Sequence, residues 1–335
     1  MKFKSVALCA PIALLTACGG GGGSPTPTAT GAPAPAPAPA PTPTPTPTTF
    51  DELTGDQTFS TACALLPAQR FFTPTTNFPN DFTLNFEAAT ETWTFAGPSP
   101  AGILDNSFGP NDIITEEPGV FTFYSRDNGQ GLGGNPFNDI FFLGTPQFNG
   151  GTAQFVRVAE FATAISGASI PDTHQCVFGI PTALDDPLPQ QTLNFGPRLD
   201  ALGSALLLNA TITGFRLENS ELVLTADPTT GEIEFTLTLL ARETIPDPNG
   251  GLPTVSDTQT SFGTFTGTTA IDGSAQTFFG GVVGDNSVGV VGEFTGWFFG
   301  PQGTEIGIAM NGAVLLPNQD LLTFTVAFGG PQDAN

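Results

Sequence analysis

Basic residues are scarce in this sequence of 335 residues. Eight lysines and arginines face 31 aspartates and glutamates, and the formal net charge at pH 7 is −23. The two lysines are Lys2 and Lys4, so arginine is the cationic residue of the chain beyond them. Nucleic-acid binding needs a basic footprint, and so does docking on anionic lipid headgroups, so the composition argues against both kinds of partner. The acidic surface favours solubility or a cationic partner, and adaptation to a saline habitat explains it equally well.

Histidine and tyrosine occur once each, as His174 and Tyr124. One histidine excludes every site built from two or more, and haem, which takes His or Tyr ligands, is not favoured. The folded part also lacks a Gly-x-Ser-x-Gly elbow, a phosphate-binding glycine loop and zinc-ligand spacing. The acidic segments that begin at Asp127 and Asp185 follow no ordered calcium loop, so we interpret them as solvated turns. We therefore predict no catalytic residues, no metal and no cofactor.

The N-terminal segment has the features of an export signal. After two lysines, an apolar run from Val6 to Leu15 is too short to span a bilayer and ends in Leu-Thr-Ala-Cys18. This ending resembles the lipobox of bacterial lipoproteins, which implies cleavage before Cys18 and acylation of that cysteine. Several buried acyl chains would hold the protein stably at a membrane. We predict a lipoprotein signal peptide at 1–17 with lipidation at Cys18; plain secretory cleavage is the alternative.

A low-complexity segment follows this cysteine. Five glycines and Ser24 begin it, and from Pro25 to Pro47 proline largely alternates with Thr or Ala. Proline fixes φ and removes a donor, so the stretch favours extended polyproline II and is predicted as a disordered tether over 18–49. In enterobacterial lipoproteins an Asp after the lipidated cysteine signals retention in the inner membrane, but Gly19 stands here. The predicted location is the outer membrane, lipid-anchored and displayed at the cell surface.

Cysteine is also sparse, with four residues in the whole chain. Cys9 leaves with the signal and Cys18 is predicted to be acylated, so Cys63 and Cys176 remain. An even number of remaining cysteines in an oxidising compartment predicts a disulfide between them. Closing a loop of that length contributes about 4 to 5 kcal/mol in the chain-entropy estimate. Two unpaired buried thiols are the alternative.

The folded part shows no convincing amphipathic helix pattern. Residues Asp81 to Glu87 alternate polar and apolar side chains, which predicts a half-buried strand. The segment Asp227 to Gly231 contains turn residues and predicts a hairpin. Short helical turns are predicted around Thr61 to Leu66 and Leu199 to Ala205. Further strands are predicted at 92–95, 120–124, 139–143, 154–161, 175–180, 191–195, 206–217, 221–226, 232–242, 261–268, 275–283, 288–299, 305–315 and 321–328.

The length of the folded part predicts two modules, at 50–190 and 191–335. The strands of the second module are longer and more evenly spaced, and they number eight or nine. Such a series suits a closed up-and-down antiparallel barrel, which leaves no free sheet edge. The chain has 31 Phe and one Tyr. This composition favours a soluble barrel filled by its own side chains over a membrane-spanning barrel with Tyr and Trp girdles.

Two motifs resemble those of a known family. Gly292 to Gly307 is similar to the strand, Gly-Pro turn and strand with glutamate that closes the barrel of transferrin-binding protein B-like lipoproteins. Cys176 to Thr182 is similar to a Phe-Gly-x-Pro-Thr junction in proteobacterial relatives often called transferrin-binding-protein-like solute-binding proteins. The resemblance implies an all-β fold, in which a β-rich handle domain at 50–190 precedes a C-terminal eight-stranded antiparallel β-barrel at 191–335. The residues assigned structural roles in the barrel motif are Gly296, Phe299, Gly300, Pro301, Glu305 and Gly307.

Within that motif we expect the Gly-Pro pair to set a tight turn and Glu305 to accept hydrogen bonds from backbone or arginine. The chain shows no sign of the loops that grip transferrin, so that activity is not carried over. The favoured hypothesis is a binding module, without catalysis, for an unknown extracellular protein or small-molecule ligand. A structural or adhesive coat lipoprotein is the alternative. A hydrolase is less favoured, because the one feature in its support is the large number of carboxylates. Catalytic carboxylates are paired in space and not in sequence, so their abundance identifies no particular pair.

Overall fold

The computed structural model describes the chain from Thr48 to Asp333 with internal gaps. The described ranges are 48–66, 82–99, 102–127, 138–148, 151–163, 171–196, 200–208, 212–245, 254–284, 290–316 and 318–333. Cys18, the signal at 1–17 and nearly all of the tether at 18–49 lie outside these ranges, so the predictions on them stay predictions. The described residues belong to the compact unit Thr46–Asn335.

Residues 57–179 form two antiparallel sheets and a two-stranded ladder. The first sheet has the strand order β1-β3-β4-β5, the second has the order β2-β12-β11-β8-β7-β6, and β9 pairs with β10. The strands are β1 (Gln57–Ser60), β2 (Ala62–Leu66), β3 (Thr83–Glu87), β4 (Thr92–Ser99), β5 (Gly102–Phe108), β6 (Ile113–Glu117), β7 (Phe121–Asp127), β8 (Asn138–Gly144), β9 (Gln147–Phe148), β10 (Gly151–Thr152), β11 (Val156–Thr163) and β12 (Asp172–Gly179).

Short 3-10 turns account for the helical residues in the described part of the chain. They are Phe50–Glu52, Pro110–Asp112 and Pro301–Gly303. Each spans three residues. None of these turns has the length or apolar character that crossing a bilayer requires.

A core rich in phenylalanine joins the first sheet to the second. Phe95 of the first sheet stacks on Phe161 of the second at a ring-centroid distance of 4.9 Å, and Phe108 stacks on Phe141 at 5.4 Å. All four rings are fully buried. The predicted alternation at 81–87 is confirmed in β3, because Leu84 points into this core.

Residues 193–331 form a third sheet that closes on itself. Its strand order is β13-β16-β17-β15-β14-β22-β21-β20-β19-β18, and an additional pairing of β17 with β18 closes the ring. The strands are β13 (Leu193–Phe195), β14 (Asp200–Leu208), β15 (Ile212–Leu217), β16 (Glu221–Asp227), β17 (Glu232–Ile245), β18 (Thr254–Asp272), β19 (Thr277–Gly284), β20 (Val290–Phe299), β21 (Glu305–Leu315) and β22 (Leu321–Pro331).

The closed sheet has eight positions around its ring. β15 and β16 pair with successive parts of one edge of β17, and β14 and β13 pair with β15 and β16 in turn. β15 and β16 together therefore occupy one barrel position, and β14 and β13 together occupy the next. All pairings around the ring are antiparallel. The predicted fold class, all-β with a C-terminal eight-stranded antiparallel barrel, is confirmed.

The interior of the barrel is filled with aromatic side chains. Phe235 meets Phe294 edge to face at 4.7 Å, and Phe278 meets Phe298 at 5.7 Å. These four rings are almost completely buried. Strand β17 alternates buried and exposed residues along the part that lines the barrel, as a wall with one dry face must.

The turn residues Asp227 to Gly231 form the hairpin between β16 and β17, as the sequence predicts. The Gly231 N–H donates to the Asp227 carbonyl at 2.7 Å, and Gly231 has a φ of 75°. The Asp227 side chain accepts the Thr229 N–H at 2.8 Å. The hydroxyl of Thr229 donates to the same carboxylate. These bonds lower the pKa of Asp227.

The two predicted helical turns are wrong, since both segments are strands. β2 replaces the turn predicted around 61–66, and β14 replaces the one around 199–205. Every residue of β2 is buried, because Ala62 faces the barrel while Cys63 faces the first sheet. A strand covered on both faces shows no alternation, and its Ala and Leu content then suggests a helix. The stretch predicted at 206–217 is also divided, into β14 and β15.

The second sheet lies against the outside of the barrel. Its strands β2, β11 and β12 contact β20, β21 and β22. Val156 and Val177 belong to the same apolar cluster as the barrel residues Ile306 and Phe328. The two parts of the fold thus share one core, and the motif residues lie where they meet.

Candidate functional site

Glu305 joins the barrel to the second sheet. It begins β21, and its carboxylate is almost completely buried. The carboxylate accepts three backbone N–H groups: Oε1 takes that of Gln154 at 2.6 Å, and Oε2 takes those of Phe155 and Val156 at 2.8 Å each. The expectation that Glu305 accepts backbone hydrogen bonds agrees with this geometry. Both carboxylate oxygens are therefore engaged by the backbone of residues 154–156.

The Gly-Pro turn is hydrogen-bonded to the segment that follows β12. The Gly300 N–H donates to the Ile180 carbonyl at 3.0 Å, and the Thr182 hydroxyl donates to the Gly300 carbonyl at 2.7 Å. Pro181 forms an isolated bridge with Phe299. The two sequence motifs, more than a hundred residues apart, therefore form one contact. Gly300 has a φ of 70°, and a Cβ there would lie 2.5 Å from the Phe155 ring.

Gly307 permits the close approach of the two layers. A Cβ at this position would lie 2.8 Å from the Phe299 ring and 3.0 Å from Cβ of Val177 on β12. Gly296 makes room on the opposite, inner face of the wall, where the Phe278 ring occupies the space of its missing side chain. The six motif residues therefore shape the barrel wall and its junction, with Pro301 beginning the 3-10 turn.

Arg157 ties the start of the described chain to the same junction, a role that the sequence did not indicate. Its guanidinium donates to the Asp51 carboxylate at 2.7 Å and to the Ala153 and Val156 carbonyls at 2.9 Å each. It also lies over the Phe50 ring at 4.3 Å. Burial lowers the pKa of Arg157, and the charge of Asp51 acts in the opposite direction.

A recess of about 450 Å³ opens beside this junction. Gln154 and Glu305 contribute to its polar lining, and Phe148, Phe155 and Pro301 contribute apolar surface. Among the described residues that line the recess, Glu305 is the titratable one, and its two carboxylate oxygens accept backbone N–H groups.

A second buried polar contact also joins the two layers. Glu160 of β11 accepts a hydrogen bond from Gln175 of β12 and lies 3.3 Å from Arg216 of the barrel strand β15. Glu160 is nearly buried, whereas the Arg216 side chain is about one-third exposed. This pair has no signature in the sequence, because its partners are brought together only by packing.

The predicted disulfide is present between Cys63 and Cys176. These residues are directly opposite each other on β2 and β12. Nearby on β12, His174 is fully buried among the rings of Phe82, Phe95 and Phe161. Burial lowers the pKa of His174 to about 4. The imidazole is neutral at pH 7 and serves as a core side chain.

The described residues contain no group of three or more His, Cys, Asp or Glu side chains arranged to hold a metal ion. Asp186, which the sequence suggests as a turn residue, accepts the Gln302 N–H at 2.8 Å and so braces the Gly-Pro turn. The candidate site is thus a structural junction with an adjoining recess.

Solved structures of transferrin-binding protein B are similar to this chain. A variant from Haemophilus parasuis Hp5 matches with a TM-score of 0.39 and 12% identity over 79% of this chain and 56% of that one. The isotype 1 protein from serogroup B Neisseria meningitidis matches with a TM-score of 0.33 and 12% identity over 79% of this chain and 60% of that one. This chain thus spans less than two thirds of either structure.

No family model matches the sequence, and no curated protein matches it. The resemblance noted from the two motifs is found again among the solved structures, and it concerns the fold.

Proposed function

We propose that this protein is a lipid-anchored binding module of the outer membrane that acts without catalysis. In this proposal Cys18 carries the acyl chains, residues 18–49 hold the folded part away from the membrane, and residues 50–190 and 191–335 form the handle-like and barrel modules. The ligand is an extracellular protein or a solute that binds to the outer surface.

The observation that carries the proposal is the packed barrel interior. Phe265 and Phe324 meet across it at 5.5 Å, in addition to the ring pairs already described. A solute in the middle of the barrel would have to displace these rings, so recognition is assigned to the exterior. The engagement of both Glu305 oxygens by backbone supports a binding role over a hydrolytic one.

The lipid anchor is tested by Cys18→Ala in cells that process lipoproteins. The substituted protein is expected in the soluble fraction, because its membrane attachment is assigned to acyl chains alone. Cys9→Ala is the matched control, since that cysteine lies in the segment assigned to removal. Sedimentation of the Cys18→Ala protein with membranes would contradict the anchor.

The binding role is tested with the full acylated protein, immobilised from detergent and exposed to spent culture medium. Recovery of the same protein or solute in replicate is expected, with loss of recovery after the bait is unfolded. Failure to recover any ligand would instead favour a coat component.

A further inference from the structure

The first turn of the described chain is fixed to the junction by several kinds of contact. It consists of Thr49 to Leu53, which we call the strap. The Phe50 N–H donates to the Gln154 carbonyl at 2.8 Å. The Asp51 carboxylate pairs with Arg157 at 2.7 Å, and the Arg157 side chain is only 3% exposed. Loss of the strap would leave that guanidinium buried without its carboxylate, which is costly.

The Phe50 ring adds contacts to both sheets. It stacks on Phe59 of β1 at a ring-centroid distance of 5.2 Å and meets Phe178 of β12 edge to face at 5.8 Å. The guanidinium of Arg157 lies over the same ring. Leu53 packs against the core between the first and second sheets. The strap is therefore held by apolar, aromatic and charged contacts, although it is short.

The segment that the strap binds is the centre of the junction. Residues 154–156 donate their N–H groups to Glu305 of the barrel. The carbonyl of Phe155 accepts the Ile180 N–H at 3.0 Å. The strap, the barrel and the segment that follows β12 are therefore joined through three consecutive residues.

The two strands that follow the strap lie at sheet edges. β1 is at the edge of the first sheet, where it pairs with β3, and β2 is at the edge of the second sheet, where it pairs with β12. An edge strand is hydrogen-bonded along one side, so a pull on its end can break those bonds one after another. β1 has only four residues. Without the strap, a pull from the N-terminal side would act on β1 first.

A protein held to a membrane by its N-terminus receives mechanical load at that end. In the proposed function, load on the tether enters the described chain at Thr48 and reaches the strap before it reaches β1. We propose that the strap is a mechanical clamp, which passes this load to residues 154–156 and so protects β1 and β2 from being pulled out of their sheets. This inference rests on the proposed lipid anchor and adds a device that the binding role does not require.

The test pulls single molecules of the full acylated protein, in detergent micelles, through two DNA handles. One handle is attached at Asp333→Cys, and the other at either Thr48→Cys or Thr54→Cys. All three positions are exposed, while Cys63 and Cys176 stay in their buried disulfide. Load at position 48 passes through the strap, whereas load at position 54 bypasses it. Forced unfolding is governed by the unfolding rate, so the quantity measured is the lifetime at a fixed force.

With the unsubstituted strap, the lifetime under load at position 48 is expected to exceed that at position 54 by at least about tenfold. Such a factor corresponds to the loss of about one charge-assisted hydrogen bond. The two attachments differ by only six positions in the chain, so the rest of the load path is the same. The difference between the two lifetimes therefore measures the strap.

Matched variants assign the resistance to particular contacts. With load at position 48, Phe50→Ala and Asp51→Ala are each expected to shorten the lifetime by about tenfold, because each removes a strap contact. With load at position 54, both should stay within about threefold of the unsubstituted protein. Phe279→Ala and Asp185→Ala remove the same kinds of side chain at exposed positions, and they should stay within about twofold at both attachments. Thermal unfolding of every variant checks that the fold is retained.

Three results would overturn the clamp. A lifetime at position 48 no longer than that at position 54 would show that the strap bears no load. Equal shortening of both lifetimes by Phe50→Ala and Asp51→Ala would mean that the strap supports overall stability alone. Unchanged lifetimes of both variants at position 48 would assign the resistance to other contacts. The anchor is decided separately, since membrane sedimentation of Cys18→Ala would contradict the proposed function and leave the measured lifetimes as they are.

Discussion

Replacement of Glu305 by glutamine tests the central structural claim about the junction. The substitution keeps the shape of the side chain but replaces one carboxylate oxygen by an NH₂ group. If the amide oxygen stays near Phe155 and Val156, the NH₂ group meets the N–H of Gln154, which now lies opposite another donor. The change therefore removes one hydrogen bond and the negative charge that strengthens the other two.

The magnitude follows from the number and kind of these bonds. A hydrogen bond to a charged group contributes about 1.5 to 3 kcal/mol, and a buried donor left unsatisfied adds a penalty of similar size. Glu305 is 4% exposed, so water does not readily replace the lost acceptor. We expect Glu305→Gln to lower the free energy of unfolding by about 3 kcal/mol.

Urea unfolding with the disulfide intact measures this loss. Glu232→Gln is the matched control, because Glu232 is exposed on the barrel wall, and it should change the free energy by less than about 0.5 kcal/mol. Hydrogen exchange gives a local measurement, since the amides of Gln154, Phe155 and Val156 should exchange faster in Glu305→Gln. A Glu305→Gln protein as stable as the Glu232→Gln control, with unchanged exchange at those amides, would refute the reasoning.

Three further predictions concern the core and the turns. The folded-state pKa of His174 lies at about 4 and below its ordinary value near 6.5, so stability is full above pH 6.5 and falls by about 3 kcal/mol as the pH drops to 4. His174→Leu should remove that part of the slope in denaturation curves measured across this range, and an unchanged slope would count against it. Joint replacement of Cys63 and Cys176 by serine should cost about 4 kcal/mol in urea unfolding, and a loss below about 1 kcal/mol would contradict the chain-entropy account. Gly300→Ala should cost about 2 kcal/mol more than Gly231→Ala, because both positions have φ near 70° but only Gly300 is crowded; equal melting temperatures would exclude a steric effect.

Local patterns in the sequence were sufficient to predict the strands that have one solvent-exposed face and the turns between them. The alternation in β3 and along β17 follows from the two-residue period of a strand, and the turn at Asp227 to Gly231 follows from residues that favour it. The all-β class and the barrel could be predicted because many such strands follow one another. These signals need no knowledge of distant residues.

The same reasoning failed where both faces of a strand are covered. Ala62 to Leu66 lies between the first sheet and the barrel, so the sequence shows a continuous apolar run in place of alternation. Periodicity alone cannot separate such a run from a short helix. The error therefore has a physical cause, the burial of β2 on both sides by partners far away in the chain.

The sequence by itself determined the two-residue period of the strands that have one exposed face and the turn at Asp227 to Gly231, because each depends on near neighbours. It also limited the disulfide to Cys63 and Cys176, but their pairing required β2 and β12 to become adjacent. Only the tertiary structure decided that Glu305 takes the backbone N–H groups of residues 154–156, about 150 positions earlier. Contacts of that separation arise from packing the second sheet against the barrel, and no local pattern records them.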